Sequence, residues 1–353
     1  MSGVSLRKVV KRYGALQVIH DIDIDVAAGE VCVFVGPQGC CKSTLMRMIA
    51  GLEKTSGGVI CIGAQDVTAL DAAQRGVVMA YPTDELVPHL TVAENIALGL
   101  KAVDVRAGDA AGCVADTARF LKLDDCLHMK VRKLPEDQRQ RTALGRAIVR
   151  RAPVLLLDEP LSVQDARLRA ALREALVQRL RDTGTTLIYG THDPAEAMRL
   201  ADRIVVLRAG RVEQAGAPQD LCHDPDTLFV AEFLASPALN VLTARADDGM
   251  LTLPGLGTAP LPRHLFAHNG TTVAVGLRPQ HLALVPGDSH RVTGRDVVGD
   301  GTHLTLTGGG ERALTVVTAQ SATALPQVGA RTGIRFRYQD MLLFDPVSSR
   351  RLR

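Results

Sequence analysis

The segment of residues 31–45, VCVFVGPQGCCKSTL, combines residue types that suit phosphate binding. It opens with an apolar run rich in β-branched residues, continues through a glycine-containing turn and ends in a lysine and two hydroxyl residues before Leu45. The helical period that begins at Leu45 continues beyond the segment with Met48 and Ile49. Backbone N–H groups at a helix start face an anion, lysine adds positive charge, and a serine hydroxyl can hold Mg²⁺. The segment predicts a strand, a triphosphate-binding loop and a helix. Its glycine and polar residues are Gly36, Gly39, Lys42, Ser43 and Thr44.

One position of this loop departs from the pattern G-x-x-x-x-G-K-[ST]. The pattern places glycine directly before the lysine, whereas this chain has Cys41. Glycine serves there because it tolerates positive φ and lets the backbone approach a ligand closely. We therefore expect a recognisable loop whose affinity for nucleotide is weakened by Cys41.

Two further segments place polar side chains after apolar strands. Val154–Leu157 precedes Asp158 and Glu159, and the segment TTLIYGTHD places His192 beyond a second strand. Ligands of open α/β sheets bind at the carboxyl ends of the strands. We expect Asp158 to hold Mg²⁺ through water, Glu159 to polarise an attacking water, and His192 to contact a γ-phosphate.

The remaining pattern predicts the elements that position these residues. Residues 1–30 alternate as antiparallel strands with a turn at Tyr13, and a strand is expected at Val77–Tyr81. Thr91 and Glu94 form the sequence pattern of a capping box. A helical period runs over residues 107–127, and Pro135 marks the start of another helix. The strand at residues 154–157 is expected to lie centrally, parallel to the strand before the phosphate loop.

Length and composition indicate two domains. The 353 residues suit two domains, which the pattern of elements places at 1–235, an α/β domain with a helical subdomain at about 88–150, and at 236–353, a small all-β module. Aromatic residues make up 3% of the chain and tryptophan is absent, so we expect no nucleic-acid partner. Seven scattered cysteines without C-x-x-C favour a reduced cytosolic protein.

Taken together, these motifs resemble the ATP-binding subunits of ABC importers that take up carbohydrates and glycerol phosphate. The resemblance runs through KRYG, the phosphate loop, VPHLTVAENIALGL, QRQRTALGRAIVR, VLLLDEPLS, THDPAEAMRLADRIVVL and GLRPQHL. It implies a P-loop ABC-type ATPase domain followed by an oligonucleotide-fold-like regulatory domain. It also implies ATP and Mg²⁺ as cofactors.

The resemblance assigns roles residue by residue. Tyr13 would stack on adenine, Glu159 would be the catalytic base, and His192 would be the switch histidine. Ser43 and Asp158 would hold Mg²⁺, and Asp165 would lie on the loop that crosses to a second ATPase subunit. The signature helix would begin with Leu134, Pro135, Glu136, Asp137 and Gln138.

Departures from the family concentrate on these contacts. Pro82 stands where the family has glutamine, and Pro135-Glu136-Asp137 replaces the S-G-G of L-S-G-G-Q. Gln164 replaces a leucine and Pro194 replaces a glutamine. Glu136 and Asp137 would face the phosphate held by the other subunit, and two like charges about 4 Å apart cost about 4 kcal/mol at an effective dielectric of about 20.

Three functions are compatible with this sequence. The first is an ATPase subunit that energises a sugar-type permease at the cytoplasmic face of the plasma membrane, served by an extracytoplasmic solute-binding protein. The second is a catalytically impaired structural or regulatory subunit, or half of an asymmetric heterodimer rather than a homodimer. The third, an NTP-dependent enzyme outside transport such as a kinase, is disfavoured by the β module.

Overall fold

The computed structural model describes residues 2–80, 86–102, 107–268, 270–298, 301–308, 312–319 and 325–353. They fall into two compact units, Met1–Pro218 and Gln219–Arg353. Pro82 and Tyr81 lie outside the described residues, so the expectation about Pro82 stays a prediction. No helix among the described residues is long and apolar enough to cross a membrane.

The first unit alternates strands and helices. Its strands are β1 (Val4–Tyr13), β2 (Leu16–Val26), β3 (Val31–Val35), β4 (Gly57–Ile62), β5 (Gln65–Asp66), β6 (Val77–Ala80), β7 (Val154–Asp158), β8 (Thr186–Thr191), β9 (Arg203–Arg208) and β10 (Arg211–Gly216). Its helices are α1 (Lys42–Ala50), α2 (Val92–Leu98), α3 (Ala107–Phe120), α4 (Glu136–Ile148), α5 (Ala166–Asp182) and α6 (Pro194–Leu200).

A six-stranded sheet carries the phosphate loop. Its order is β10-β9-β3-β8-β7-β6, and every neighbouring pair is parallel except β9 with β10. All five residues of β3 are buried, as expected of a parallel strand covered on both faces. The strand expected at 154–157 is interior to the sheet and parallel to β3, as predicted, but β8 separates it from β3 and it lies one strand from the edge that β6 forms among the described residues. An apolar run reports burial, whereas strand order depends on the crossovers between strands.

A second sheet and helix α1 complete the core of this unit. The antiparallel order is β2-β1-β4-β5, and the β1–β2 hairpin pairs Tyr13 with Leu16 at its turn. Leu45, Met46, Met48 and Ile49 of α1 are fully buried in a cluster that includes residues of both sheets. Helix α1 is therefore held firmly, and its first turn keeps a fixed position at the end of β3.

Helices α2, α3 and α4 form the helical region. Thr91 and Glu94 make the predicted capping box, and the hydrogen bonds from Thr91 lower the pKa of Glu94. Helix α3 ends at Phe120, earlier than the helical period to residue 127 suggested. Lys122 adopts φ 54°, which stops the helix, and Arg141 donates to the carbonyls of Leu121 and Lys122.

The second unit is mainly β structure. Its elements are α7 (Pro218–His223), α8 (Leu228–Phe233), β11 (Asn240–Asp247), β12 (Met250–Leu253), β13 (Gly257–Pro260), β14 (Thr272–Leu277), β15 (Ala283–Val298), β16 (Gly301–Gly308), β17 (Leu314–Thr318), β18 (Arg331–Arg335) and β19 (Leu342–Phe344). Two sheets, ordered β13-β12-β11-β14-β19 and β17-β16-β15-β18, enclose one apolar cluster. The buried Asn240 joins them, donating to the carbonyl of Thr315 at 2.8 Å and accepting from its N–H at 2.7 Å.

Candidate functional site

The loop between β3 and α1 holds Lys42 inside the protein. Lys42 is 6% exposed, and its Nζ donates to the carbonyls of Gly36 at 2.8 Å and Pro37 at 3.1 Å. These carbonyls belong to the loop itself, so the lysine fastens the two ends of the loop together. The first turn of α1 follows directly, and its backbone N–H groups face the same space.

The two glycines of this loop serve different physical needs. A Cβ on Gly36 would lie 2.1 Å from the carbonyl oxygen of Leu207 in β9, which no rotation of a side chain could relieve. A Cβ on Gly39 would meet nothing within 4 Å, but Gly39 has φ +77°. Gly36 is therefore required for space, and Gly39 for backbone conformation.

Cys41 occupies a left-handed backbone conformation, with φ 75° and ψ 21°, at the cap of α1. This is the position at which the sequence pattern has glycine, and the geometry explains why, since a non-glycine residue there costs about 1–2 kcal/mol. Burial raises the pKa of the Cys41 thiol, so the thiol is neutral at physiological pH. The loop keeps its conformation at the expense of local strain.

Asp158 ends strand β7 and lies against the start of α1. The Ser43 hydroxyl donates a hydrogen bond to it, while burial raises the pKa of the Asp158 carboxyl. Gly190 in β8 leaves the room for this carboxylate, because a Cβ there would lie 2.8 Å from Asp158 Oδ1. Sequence reasoning missed Gly190, since only the pairing of β7 with β8 brings it to Asp158.

Glu159 and His192 are hydrogen bonded at 2.7 Å between Oε1 and Nδ1. Glu159 has φ 45°, and its N–H donates to the carbonyl of Gly190 at 3.0 Å. A positive φ on a glutamate is held only where the surrounding structure enforces it, and such positions cluster at functional sites. The hydrogen bond joins the carboxylate that follows β7 to the histidine that follows β8.

A cavity of about 500 Å³ brings half of the predicted site residues together. It lies between the phosphate loop, the end of β7 and the first turns of α4. Its lining includes Gln38, Gly39, Cys41, Lys42, Ser43, Thr44, Glu136, Gln140, Asp158, Glu159 and Ser162. His192 lines an adjoining cavity of about 340 Å³ that also contains Glu159.

The two acids at the start of α4 have different surroundings. Pro135 caps the helix, and Glu136 is exposed and lines the cavity. Asp137 instead pairs with the buried Arg141 one turn along, at 2.9 Å between Oδ2 and Nη2. Asp137 therefore has a positive partner within its own helix, and the expectation that both carboxylates face a phosphate held by the other subunit stays a prediction.

Other predicted residues lie away from the cavity lining. Tyr13 is half-exposed at the end of β1, with Lys11 Nζ 4.7 Å from its ring centre. Leu134 is buried before α4, and Gln138 is half-buried on its first turn. Asp165 accepts hydrogen bonds from Arg167 and Leu168 as the cap of α5, and Pro194 is the first residue of α6.

The oxygen atoms at Ser43 and Asp158 fit Mg²⁺. Mg²⁺ prefers oxygen ligands and is commonly held by one or two carboxylates together with substrate phosphates and water. Among the described residues no group of three or more His, Cys, Asp and Glu side chains that could hold a metal ion occurs. The hydrogen bond from Ser43 already brings the hydroxyl and the carboxylate to one point beside the phosphate loop.

Comparison with known proteins gives the same picture. The family described as ABC transporter matches residues 19–162, and the TOBE domain matches residues 269–344. The sulfoquinovosyl glycerol transport ATP-binding protein SmoE of Agrobacterium fabrum is 40% identical over 95% of both chains. The sn-glycerol-3-phosphate import ATP-binding protein UgpC of Escherichia coli O157:H7 is 45% identical over 80% of this chain and 81% of its own. The lactose transport ATP-binding protein LacK of Rhizobium radiobacter is 42% identical over 84% and 85%.

Solved structures agree at the level of the fold. A nucleotide-free ATP-binding cassette from an ABC transporter has a TM-score of 0.57 at 22% identity, covering 67% of this chain and 99% of its own. A cassette dimer bound to ADP and phosphate has the same TM-score at 24% identity, covering 61% and 98%. With relatives at 40% identity or more over most of its length, the chain belongs to the ATP-binding subunits of ABC importers and carries a C-terminal TOBE domain.

Proposed function

We propose that this chain binds ATP with Mg²⁺ and hydrolyses it to drive the import of a sugar-type solute. The observation that carries the proposal is the single cavity that Lys42, Ser43, Asp158 and Glu159 share. Relatives named for glycerol-phosphate, sulfoquinovosyl glycerol and lactose transport support the class of solute.

Each residue has a distinct part in this proposal. Lys42 and the N–H groups of α1 bind the phosphates, and Ser43 and Asp158 hold Mg²⁺, which neutralises phosphate charge. Glu159 accepts a hydrogen bond from the attacking water and takes up its proton. His192, hydrogen bonded to Glu159, fixes the direction of that carboxylate.

The partners follow from the same assignment. We propose that two ATPase subunits associate with transmembrane permease subunits at the cytoplasmic face of the plasma membrane. The solute would reach the permease from an extracytoplasmic binding protein, so the chain itself has no need of a solute pocket. Both a homodimer and a heterodimer of ATPase subunits are compatible with this arrangement.

Two observations favour a second candidate, a subunit of reduced turnover. Cys41 places a side chain at the left-handed position of the phosphate loop, and Glu136 brings a carboxylate to the cavity. Backbone strain at Cys41 weakens phosphate binding, and the negative charge of Glu136 repels a bound phosphate. In a heterodimer, an intact partner could supply a normal signature helix to the cavity of this chain.

Turnover of ATP by the purified chain separates the two candidates. We expect Mg²⁺-dependent hydrolysis that Glu159→Gln abolishes while ATP binding persists. Glu174→Gln, an exposed glutamate on α5 paired with Arg199, is the matched control and should leave turnover unchanged. Activity that survives Glu159→Gln would contradict the proposed base, and ATP binding without turnover in the parent would favour the second candidate.

A further inference from the structure

Gln164 is a buried polar residue in the segment between Glu159 and helix α5. It is 3% exposed, and its Nε2 donates to the backbone carbonyl of Asp137 at 2.9 Å and to Gln140 Oε1 at 3.3 Å. Both acceptors lie on the first turns of α4. The side chain therefore spans from the segment after β7 to the start of the signature helix.

Gln140 continues the connection back to the same segment. Its Nε2 donates to Ser162 Oγ at 3.0 Å and to the carbonyl of Glu159 at 3.4 Å, while its Oε1 accepts from the N–H of Val163 at 3.4 Å. Gln140 is 8% exposed, so these bonds are shielded from water. The start of α4 and the residues that carry Glu159 are joined by one hydrogen-bond network.

The network has an unusual feature that calls for an explanation. Gln164 Oε1 is buried and finds no hydrogen-bond partner among the described residues. A buried acceptor without a partner destabilises the fold, and an apolar residue of similar volume, such as leucine, would avoid that loss. A glutamine at this position is explained if its N–H donors make hydrogen bonds that leucine cannot make.

We propose that Gln164 is a positioning residue that fastens the start of α4 to the segment carrying Glu159. The segment holds Glu159 at a positive φ, a conformation that persists only under restraint from its surroundings. Because the network contacts the Glu159 carbonyl and not the phosphate loop, it acts on turnover rather than on nucleotide binding. The proposal rests on the proposed ATPase function.

The test compares Gln164→Leu and Gln164→Glu with the parent. Leucine keeps the approximate volume and removes the donor, and glutamate keeps the shape but replaces the donor with an acceptor. Gln178→Leu, at an exposed position of α5, makes the same exchange away from the network and serves as control. Turnover rate, KM, affinity for ATP in the Glu159→Gln background, melting temperature and hydrogen exchange over residues 159–165 are measured.

We expect Gln164→Leu to lower kcat about tenfold, to leave KM and ATP affinity within about twofold, and to speed exchange at Ser162 and Val163. Its melting temperature should not fall, because the unpartnered Oε1 is gone, which excludes unfolding as the cause. Gln164→Glu should lower kcat similarly, and Gln178→Leu should match the parent.

Three outcomes overturn the proposal. Unchanged exchange over residues 159–165 would show that Gln164 does not restrain the segment, whatever the activity. Faster exchange with unchanged kcat would leave Gln164 a structural contact only. A parent chain that binds ATP without turnover would refute the ATPase function. Faster hydrogen exchange in the variant would then show that Gln164 restrains the segment without a catalytic consequence.

Discussion

Asp137 and Arg141 form an ion pair one helical turn apart, with 2.9 Å between carboxylate and guanidinium. The guanidinium is buried and also donates to the carbonyls of Leu121 and Lys122 at the end of α3. The pair therefore ties α4 to α3, while the neighbouring Glu136 remains exposed at the cavity. Two adjacent acids in the signature segment consequently have different physical roles.

We predict that Glu136→Gln raises ATP turnover about fivefold without a change in stability. The neutral amide removes a negative charge that repels phosphate. Two like charges about 4 Å apart in water repel each other by about 1 kcal/mol. Asp137→Asn should instead lower the free energy of unfolding by about 1 kcal/mol and leave turnover unchanged, since Arg141 keeps its two carbonyl acceptors. ATPase assays and denaturant unfolding check both variants, and equal effects on turnover would contradict the distinction.

We predict that Cys41→Gly stabilises the fold by about 0.5–1 kcal/mol and strengthens ATP binding several-fold. Glycine removes the left-handed strain of about 1–2 kcal/mol but adds about 0.5–1 kcal/mol of unfolded-state entropy. Cys41→Ala is the control because it removes the thiol and keeps the Cβ at φ 75°. Calorimetry and thermal unfolding measure the two quantities. If alanine matches glycine, the thiol and not the backbone limits binding.

We predict that Asp158→Asn stabilises the ligand-free protein at pH 7 and that the gain disappears near pH 4. Burial raises the pKa of Asp158 in the folded state, so the carboxyl favours folding when protonated and loses that contribution as pH rises through its folded pKa. Melting temperatures across this range check the sign, with the exposed Asp182→Asn as control. Mg²⁺ affinity in the presence of ATP should fall about 10- to 100-fold. A gain that is the same at pH 4 and pH 7 would contradict the role of charge burial.

We predict that Asn240→Ala lowers the free energy of opening around Thr315, in the second unit, by about 2–3 kcal/mol. The change leaves the N–H and the carbonyl of Thr315 without their side-chain partners. Because the affected contacts lie within one of two compact units, hydrogen exchange at Thr315, which reports on them locally, is the appropriate measurement. The exposed Gln327→Ala should not change that exchange rate.

Local chemistry was predictable from the sequence and long-range geometry was not. The phosphate loop and the strand-end position of Asp158 follow from a few consecutive residues whose backbone groups act together. The neighbours of β7 in the sheet do not follow from consecutive residues, because strand order is decided by connections far apart in the chain. The burial of Gln164 against α4 belongs to the same class.

The ion pair between Asp137 and Arg141 is different, because the sequence itself contains a signal for it. Asp and Arg four residues apart on a helix lie on one face and attract each other. The spacing of Asp137 and Arg141 thus predicts their contact from the sequence alone. The family resemblance assigns this segment to a phosphate contact, whereas the spacing of four residues indicates a contact within the helix.

The two glycines of the phosphate loop restrict its possible substitutions in different ways. At Gly36 any side chain would collide with the β9 backbone, so a replacement there would disrupt the packing of the loop against β9. At Gly39 and at Cys41 the restriction is torsional, and a compact residue survives with a moderate loss. Redesign of this loop should therefore vary positions 39 and 41 and keep glycine at position 36.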